Sequence, residues 1–371
     1  MKKILIAFGT RPEAIKMAPV VKALKKDPFF DVKVCITAQH RQMLDQVMDI
    51  FQLTPDFDLN IMAPNQTLTD ITYKVLKGME GIFTQWMPDH VLVQGDTTTV
   101  MAAALAAFYH KIEVGHLEAG LRTGDRYSPW PEEMNRVLAT RLSTLHFAPT
   151  QDAKKNLIGE GIDPSTIHVT GNTVIDALFL AFDIIDNDFR LSQSLADKFN
   201  FLDPEKRLIL ITGHRRENFG DGFLQICQAI GRLAERGDIQ LVYPVHLNPN
   251  VQEPVRAILS KASNIFLLEP LDYLSFIYLM RKSHVVLTDS GGVQEEAPSL
   301  GKPIVVMRDT TERPEAVATG NALLSGANKS KIIGYVTQLL DDSAVYERMS
   351  QAKNPYGDGK ASEYIKDILT R

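Results

Sequence analysis

Short runs of aliphatic and β-branched residues, each followed by a stretch of helical periodicity, recur along most of this chain. In the first half they fall at residues 4–8, 32–37 and 91–94, and helical patterns follow Pro12 and begin at His40 and Thr98. Apolar, β-branched runs alternating with helical patterns are expected of a parallel sheet covered on both faces. Such repeats predict βαβ units. After Gly171-Asn172-Thr173 a polar, helix-rich connection reaches about Pro204, and the alternation restarts with runs at 208–212, 241–244, 265–268, 285–288 and 304–307. Two doubly wound, Rossmann-like α/β domains are therefore expected, over residues 1–171 and 172–357. The helical pattern of residues 361–369 is read as crossing back, so that 358–371 complete the first domain.

A chain of 371 residues is long for one core and suits two. With 44% hydrophobic and 23% charged residues the composition is that of an ordinary globular protein. A formal net charge of −5 gives no general attraction for nucleic acid or an anionic membrane, so any bound phosphate would need local groups. The longest run of small apolar residues, 100–108, is too short to cross a bilayer. Met1-Lys2-Lys3 ahead of an apolar run imitates a signal peptide. Its apolar part is too short and enters Gly9-Thr10-Arg11-Pro12 directly, so a buried first strand is expected. Cys35 and Cys227 lie in apolar segments without metal-ligand spacing and read as reduced structural thiols of a cytoplasmic protein.

In doubly wound sheets ligands bind beyond the carboxyl ends of the strands. Each chemically loaded segment here follows such a run: Gly9-Thr10-Arg11, Gln94-Gly95-Asp96, Gly115-His116-Leu117-Glu118, Gly213-His214-Arg215-Arg216 and Asp289-Ser290. A cleft between two domains would gather them. Ser290-Gly291-Gly292 ahead of a helix is either an anion seat, built from exposed N–H groups and the helix dipole, or a plain tight turn. Glu296, about one and a half helical turns on, is placed to accept from ribose hydroxyls. Asp96 is either a strand-end carboxylate with a chemical role or an N-cap. For Glu118 the alternative is an ion pair with Arg122, and for Glu132 and Glu133 it is simple preference for a helix start after Pro131. Gathered at one rim, these carboxylates would raise at least one pKa into the range of proton transfer.

The cationic candidates are Arg11, Lys16, His214, Arg215, Arg216, Arg308 and Arg313. An acidic half in the first domain and a cationic half in the second suit a sugar nucleotide, with chemistry on the sugar and binding energy from the diphosphate. No G-x-G-x-x-G follows the first strand, no P-loop is present, and His110, His116, His146 and His246 form no zinc-like grouping with Cys.

Seven ordered segments carry a resemblance: residues 9–16, Thr37-Ala38-Gln39-His40-Arg41, 95–99, 115–124, Gly213-His214-Arg215-Arg216-Glu217, 289–298 and 308–317. Together they resemble the bacterial non-hydrolysing UDP-N-acetylglucosamine 2-epimerases, over residues 3–359. The resemblance implies the glycosyltransferase B fold with its active site in the interdomain cleft, UDP-N-acetylglucosamine and UDP as ligands, no cofactor or metal, and a homodimer. It also implies reversible conversion to UDP-N-acetylmannosamine for surface polysaccharide, through elimination of UDP to 2-acetamidoglucal and re-addition. The matching catalytic positions are Asp96, Glu118, Glu132 and His214. Those matching UDP-sugar contacts are Arg11, Lys16, Asp96, Glu118, His214, Leu271, Phe276, Ser290, Gly291, Gly292, Glu296 and Arg313. Leu271 stands where a family member has glutamine near the uracil, so only a backbone contact survives the change; Phe276 would support the uracil or serve as a core aromatic. Some members hold a second UDP-N-acetylglucosamine as an activator, and Gln39, His40, Gln42, Glu132, Arg215 and His246 match those positions. Rival readings are a hydrolysing epimerase, a glycosyltransferase on the same fold, and a non-catalytic sugar-nucleotide sensor.

Overall fold

The computed structural model describes residues 1–38, 41–63 and 65–371, the side chain of Gln42 excepted. The chain divides into two compact units, Met1–Phe179 with Tyr356–Arg371, and Leu180–Pro355. The division lies inside the helix Thr173–Asn187, later than the boundary expected at residue 171.

Among the described residues the first unit holds seven parallel strands: β1 (Lys2–Phe8), β2 (Phe30–Ile36), β3 (Phe57–Asp58), β4 (His90–Gln94), β5 (Glu113–Leu117), β6 (Leu145–Ala148) and β7 (Ile167–Val169). Their order is β3-β2-β1-β4-β5-β6-β7, so the winding reverses between β1 and β4. The expected runs 4–8, 32–37 and 91–94 are β1, β2 and β4; β3, β6 and β7 were not foreseen. Leu5, Ala7, Val91 and Val93 are buried with Val75, Met79 and Phe83 of the helix Leu68–Gln85 and Ala103 and Ala107 of the helix Thr98–Tyr109. Each fully buried large aliphatic contributes about 1.5–3 kcal/mol. The small-apolar run is that alanine-rich helix, and among the described residues no helix is long and apolar enough to cross a membrane.

The second unit repeats the plan with β8 (Arg207–Thr212), β9 (Ile239–Pro244), β10 (Ile265–Leu268), β11 (Val285–Thr288), β12 (Ile304–Val306) and β13 (Ala322–Leu324). All pairings are parallel, the order is β10-β9-β8-β11-β12-β13, and the reversal lies between β8 and β11. Cys35 and Cys227 are buried, one in each unit, and burial pushes both thiols up to about 12.

The returning segment ends in the helix Ala361–Thr370, which packs on the helix Arg11–Lys25. Its N-terminus is capped from afar: the Asp176 carboxylate accepts from the backbone N–H of Ser362 at 2.7 Å and Ala361 at 3.2 Å. Glycine is required where the strands of backbone pass, since a Cβ on Gly171, at φ +87°, would stand 3.1 Å from the Cα of Gly357.

Candidate functional site

In the first unit the segments after β1, β4 and β5 meet around Glu118. Lys16, one helical turn into Arg11–Lys25, donates to both carboxylate oxygens of Glu118 at 2.7 and 2.8 Å. Asn172 Nδ2 donates to Oε1 at 3.2 Å, and Gln94 Nε2, at the end of β4, donates to Oε2. Glu118 holds φ +60°, in the left-handed region that a residue with a Cβ seldom enters. Such strain costs about 1–3 kcal/mol and persists where the surroundings impose it, typically at functional positions. The alternative ion pair with Arg122 is not formed: Arg122 grips Glu160 with two bonds, of 2.6 and 2.9 Å.

Asp96 follows β4 and pairs with Arg136 at 2.8 Å, while Asn135 Nδ2 donates to its backbone carbonyl at 3.0 Å. It is not the cap of the helix Thr98–Tyr109, because Thr97 takes that place with its hydroxyl accepting from Val100 N–H. Behind Asp96, buried His116 bonds through Nε2 to the Gly95 carbonyl at 2.7 Å. Burial lowers that imidazole to about 4, so it is neutral and Nε2–H donates. The two adjacent acids that open the helix Glu132–Leu142 separate in role. Glu133 is buried and accepts from Thr123 N–H at 3.2 Å and Gly124 N–H at 3.1 Å, fixing the loop after Glu118, whereas Glu132 is half-exposed.

A residue that sequence reasoning passed over ties this half together. Glu13 accepts from the backbone N–H of Thr10 at 2.8 Å and Gly9 at 3.1 Å with Oε2, and from the Thr97 hydroxyl at 2.8 Å with Oε1. It thus latches the loop after β1, which carries Arg11, to the loop after β4, which carries Asp96. Burial raises its pKa, against the opposing hydrogen bonds. The Thr10-x-x-Glu13 spacing of a capping box was the available signal. Gly9 is needed beside it, since a Cβ there would meet Thr37 Oγ1 at 2.0 Å.

In the second unit the reversal between β8 and β11 brings Gly213-His214-Arg215 to Asp289-Ser290-Gly291-Gly292. Buried Asp289 accepts from the backbone N–H of His214 and of Arg215, both at 2.8 Å, and the His214 ring stacks on His246 with centroids 5.1 Å apart. Ser290 is the N-cap residue of the helix Gly291–Glu296. Neither Gly291 nor Gly292 has positive φ, and a Cβ on Gly292 would meet no atom within 4 Å. The backbone therefore does not demand glycine for the turn. Arg313 lies beside Gly291, 3.5 Å from where a Cβ would stand, with its Nε bonded to Glu295 at 2.8 Å. Glu296 is buried and accepts from the Tyr273 hydroxyl at 3.0 Å.

Leu271 lies in the loop after β10, and Phe276 is half-buried on the helix Tyr273–Lys282, outside the core cluster of this unit. Arg308 is buried between Glu217, at 2.6 Å, and Glu312, at 2.7 Å. Burial would raise the Glu312 carboxyl, but the guanidinium outweighs it and holds it at about 2. Arg308 thus serves the fold. Of the matched activator positions, Glu132 is in the first unit and Arg215 and His246 in the second, while Gln39, His40 and the Gln42 side chain lie outside the described residues.

Two Rossmann-like units, each with its polar side chains gathered at the point where strand order reverses, define a protein of the glycosyltransferase B type. Residues 22–370 match the family model described as UDP-N-acetylglucosamine 2-epimerase. The chain is 57% identical over 368 residues to the UDP-N-acetylglucosamine 2-epimerase of Escherichia coli K12, covering 99% of this chain and 98% of that one. It superposes with TM-score 0.93 and 52% identity on the Neisseria meningitidis UDP-GlcNAc 2-epimerase crystallised with UDP-GlcNAc, over 99% of both chains. With TM-score 0.82 and 38% identity it matches the Methanocaldococcus jannaschii enzyme in complex with UDP-GlcNAc and UDP, over 100% of this chain and 99% of that one. The chain belongs to the UDP-N-acetylglucosamine 2-epimerase family, whose members are isomerases.

Proposed function

We propose that this enzyme interconverts UDP-N-acetylglucosamine and UDP-N-acetylmannosamine without net hydrolysis. The observation that carries the reading is the division of charge between the two strand-order reversals. Carboxylates held in fixed geometry by Lys16 and Arg136 stand at the first, and a glycine pair, with open space at Gly292 and Arg313 beside Gly291, stands at the second. The first arrangement suits proton handling at a sugar carbon, and the second suits the diphosphate. Its relatives from Neisseria and Methanocaldococcus were crystallised with such ligands.

In this mechanism a carboxylate takes the proton from carbon 2, the C–H electrons form the C1–C2 double bond, and the C1–O bond breaks with its electron pair leaving on UDP. A second group returns a proton to the opposite face of the resulting 2-acetamidoglucal, and UDP re-adds at carbon 1. Asp96, Glu118 and Glu132 are assigned to proton transfer and to stabilising positive charge at carbon 1, and His214 to the departing diphosphate. Ser290, Gly291, Gly292, Arg11 and Arg313 hold the diphosphate, Glu296 the ribose, Phe276 and the backbone of Leu271 the uracil. Lys16 is assigned to the UDP-sugar and also holds Glu118. We extend the proposal to a homodimer, to product use in surface polysaccharide, and to activation by a second UDP-N-acetylglucosamine near Glu132, Arg215 and His246.

Incubation with UDP-N-acetylglucosamine in deuterated water, followed by NMR, tests the reading. Deuterium at carbon 2 in a mixture of both UDP-sugars is expected, without accumulating UDP. Stoichiometric free sugar would establish the hydrolysing alternative, and absence of exchange would remove the epimerase reading.

A further inference from the structure

Asp289 is fully buried at the end of β11, yet only half of its carboxylate is satisfied. Oδ2 accepts the two backbone N–H groups of His214 and Arg215, whereas Oδ1 is buried with no hydrogen-bond partner. A buried carboxylate oxygen left in this state is costly and calls for a reason. Its nearest cationic candidate is Nδ1 of His214, at 3.8 Å, about 1 Å beyond a charge-assisted hydrogen bond. The backbone that carries the imidazole is held beside this oxygen. It is clamped by Asp289 itself and by the Tyr243 hydroxyl, which donates to the Gly213 carbonyl at 2.7 Å. The ring stacks on His246 at an interplanar angle of 10°.

We propose that Asp289 is the positioning residue of His214: when a diphosphate arrives, Oδ1 accepts Nδ1–H, and the imidazole is held as the imidazolium with Nε2–H turned to the leaving oxygen. The proposal rests on His214 serving the diphosphate as above. The groups facing the ring are Asp289, His246 and Arg215. Burial, with lesser help from His246 and Arg215, lowers the His214 pKa, while Asp289 alone opposes them. In the free protein the neutral form is therefore favoured. An incoming anion tips the balance toward charge, so UDP binding should take up a proton, and the same proton supports the diphosphate while the C1–O bond is broken.

Asp289→Asn is a close test, because the amide oxygen can still accept both backbone N–H groups while its NH2 replaces Oδ1 opposite Nδ1. The imidazole titration of His214 is followed by NMR in the full chain, with and without UDP, alongside kcat and KM across pH. In the wild type UDP is expected to raise the His214 midpoint by about one unit or more, and in Asp289→Asn it should not. The variant should lose on the order of 100-fold in kcat with KM changed only a few-fold. Added to His214→Gln it should cause no further loss. Equal midpoints in the two proteins, or losses that multiply in the double variant, would overturn the assignment. Should Asp289→Asn not fold, calorimetry of UDP binding to the wild type and to His214→Gln in buffers of different ionisation enthalpy decides: proton uptake by the wild type that His214→Gln lacks supports the assignment, and equal uptake removes it. Carbon-2 exchange by the wild type, measured in parallel, reports separately on the epimerase reading.

Discussion

Replacing Gly292 by alanine should move stability and ligand affinity in opposite directions. No atom lies within 4 Å of the position its Cβ would take, and its backbone is not in the left-handed region. The fold therefore offers no steric resistance. Alanine in place of glycine within a helix gains up to about 1 kcal/mol, less in a first turn, and about 0.5 kcal/mol is expected here. For a domain of this size that raises Tm by roughly 1–2 °C. The same methyl group would stand where the phosphate must approach the helix N–H groups. Losing one hydrogen bond to a charged partner removes about 1.5–3 kcal/mol, which weakens UDP binding roughly 10- to 150-fold. Thermal unfolding without ligand and titration calorimetry with UDP measure the two effects. Unchanged affinity would refute the phosphate seat, and a fall in Tm would show that the glycine serves the turn instead. Gly9→Ala supplies the contrast, because its Cβ would press on Thr37 Oγ1 at 2.0 Å and Thr99 Oγ1 at 2.8 Å, and it should destabilise even without ligand.

Glu13→Ala strands two backbone N–H groups and the Thr97 hydroxyl, and should lower unfolding free energy by about 3 kcal/mol; Glu13→Gln, which retains one acceptor, should lose about 1 kcal/mol or less. Denaturant midpoints check this, and an alanine variant as stable as the wild type would dismiss the latch. His116 has its folded pKa lowered by burial to about 4 from 6.5, so the unfolded chain takes up the proton first as pH falls. Its stabilising contribution is present above pH 6.5 and is lost between 6.5 and 4, by about 3 kcal/mol in all. Unfolding measured at pH 7 and pH 4.5 should show a shallower acid loss in His116→Gln, and equal slopes would contradict the assignment.

The buried strands were legible because a parallel strand covered on both faces writes itself as an uninterrupted apolar run, as in Val91-Leu92-Val93. The short edge strand Phe57–Asp58 carries no such run and was invisible. Placing the reactive segments after β1, β4, β8 and β11 followed from the same pattern. Partner choice did not. Nothing local pairs Lys16 with Glu118, Arg136 with Asp96 or Arg122 with Glu160, because those contacts depend on how loops from different strands meet. Glu132 and Glu133 are identical in type and adjacent, and only the path of the loop over Thr123 and Gly124 divides them. Arg308, a candidate for phosphate by charge alone, is consumed by Glu217 and Glu312. Glu13 was readable as a cap but not as a bridge, since its second partner, Thr97, is far along the chain.

The closing helix Ala361–Thr370, seated on Arg11–Lys25, has a consequence for how the protein is made. Residues 180–355 form one uninterrupted stretch, able to close its own core while still near the ribosome, whereas the unit begun by the first residues waits for residues 356–371. The half synthesised first is thus the half completed last. The helix that receives this partner also carries Lys16, the group that holds Glu118. The support of the helix that carries Lys16 is thus drawn from both ends of the sequence, with a whole second unit between them.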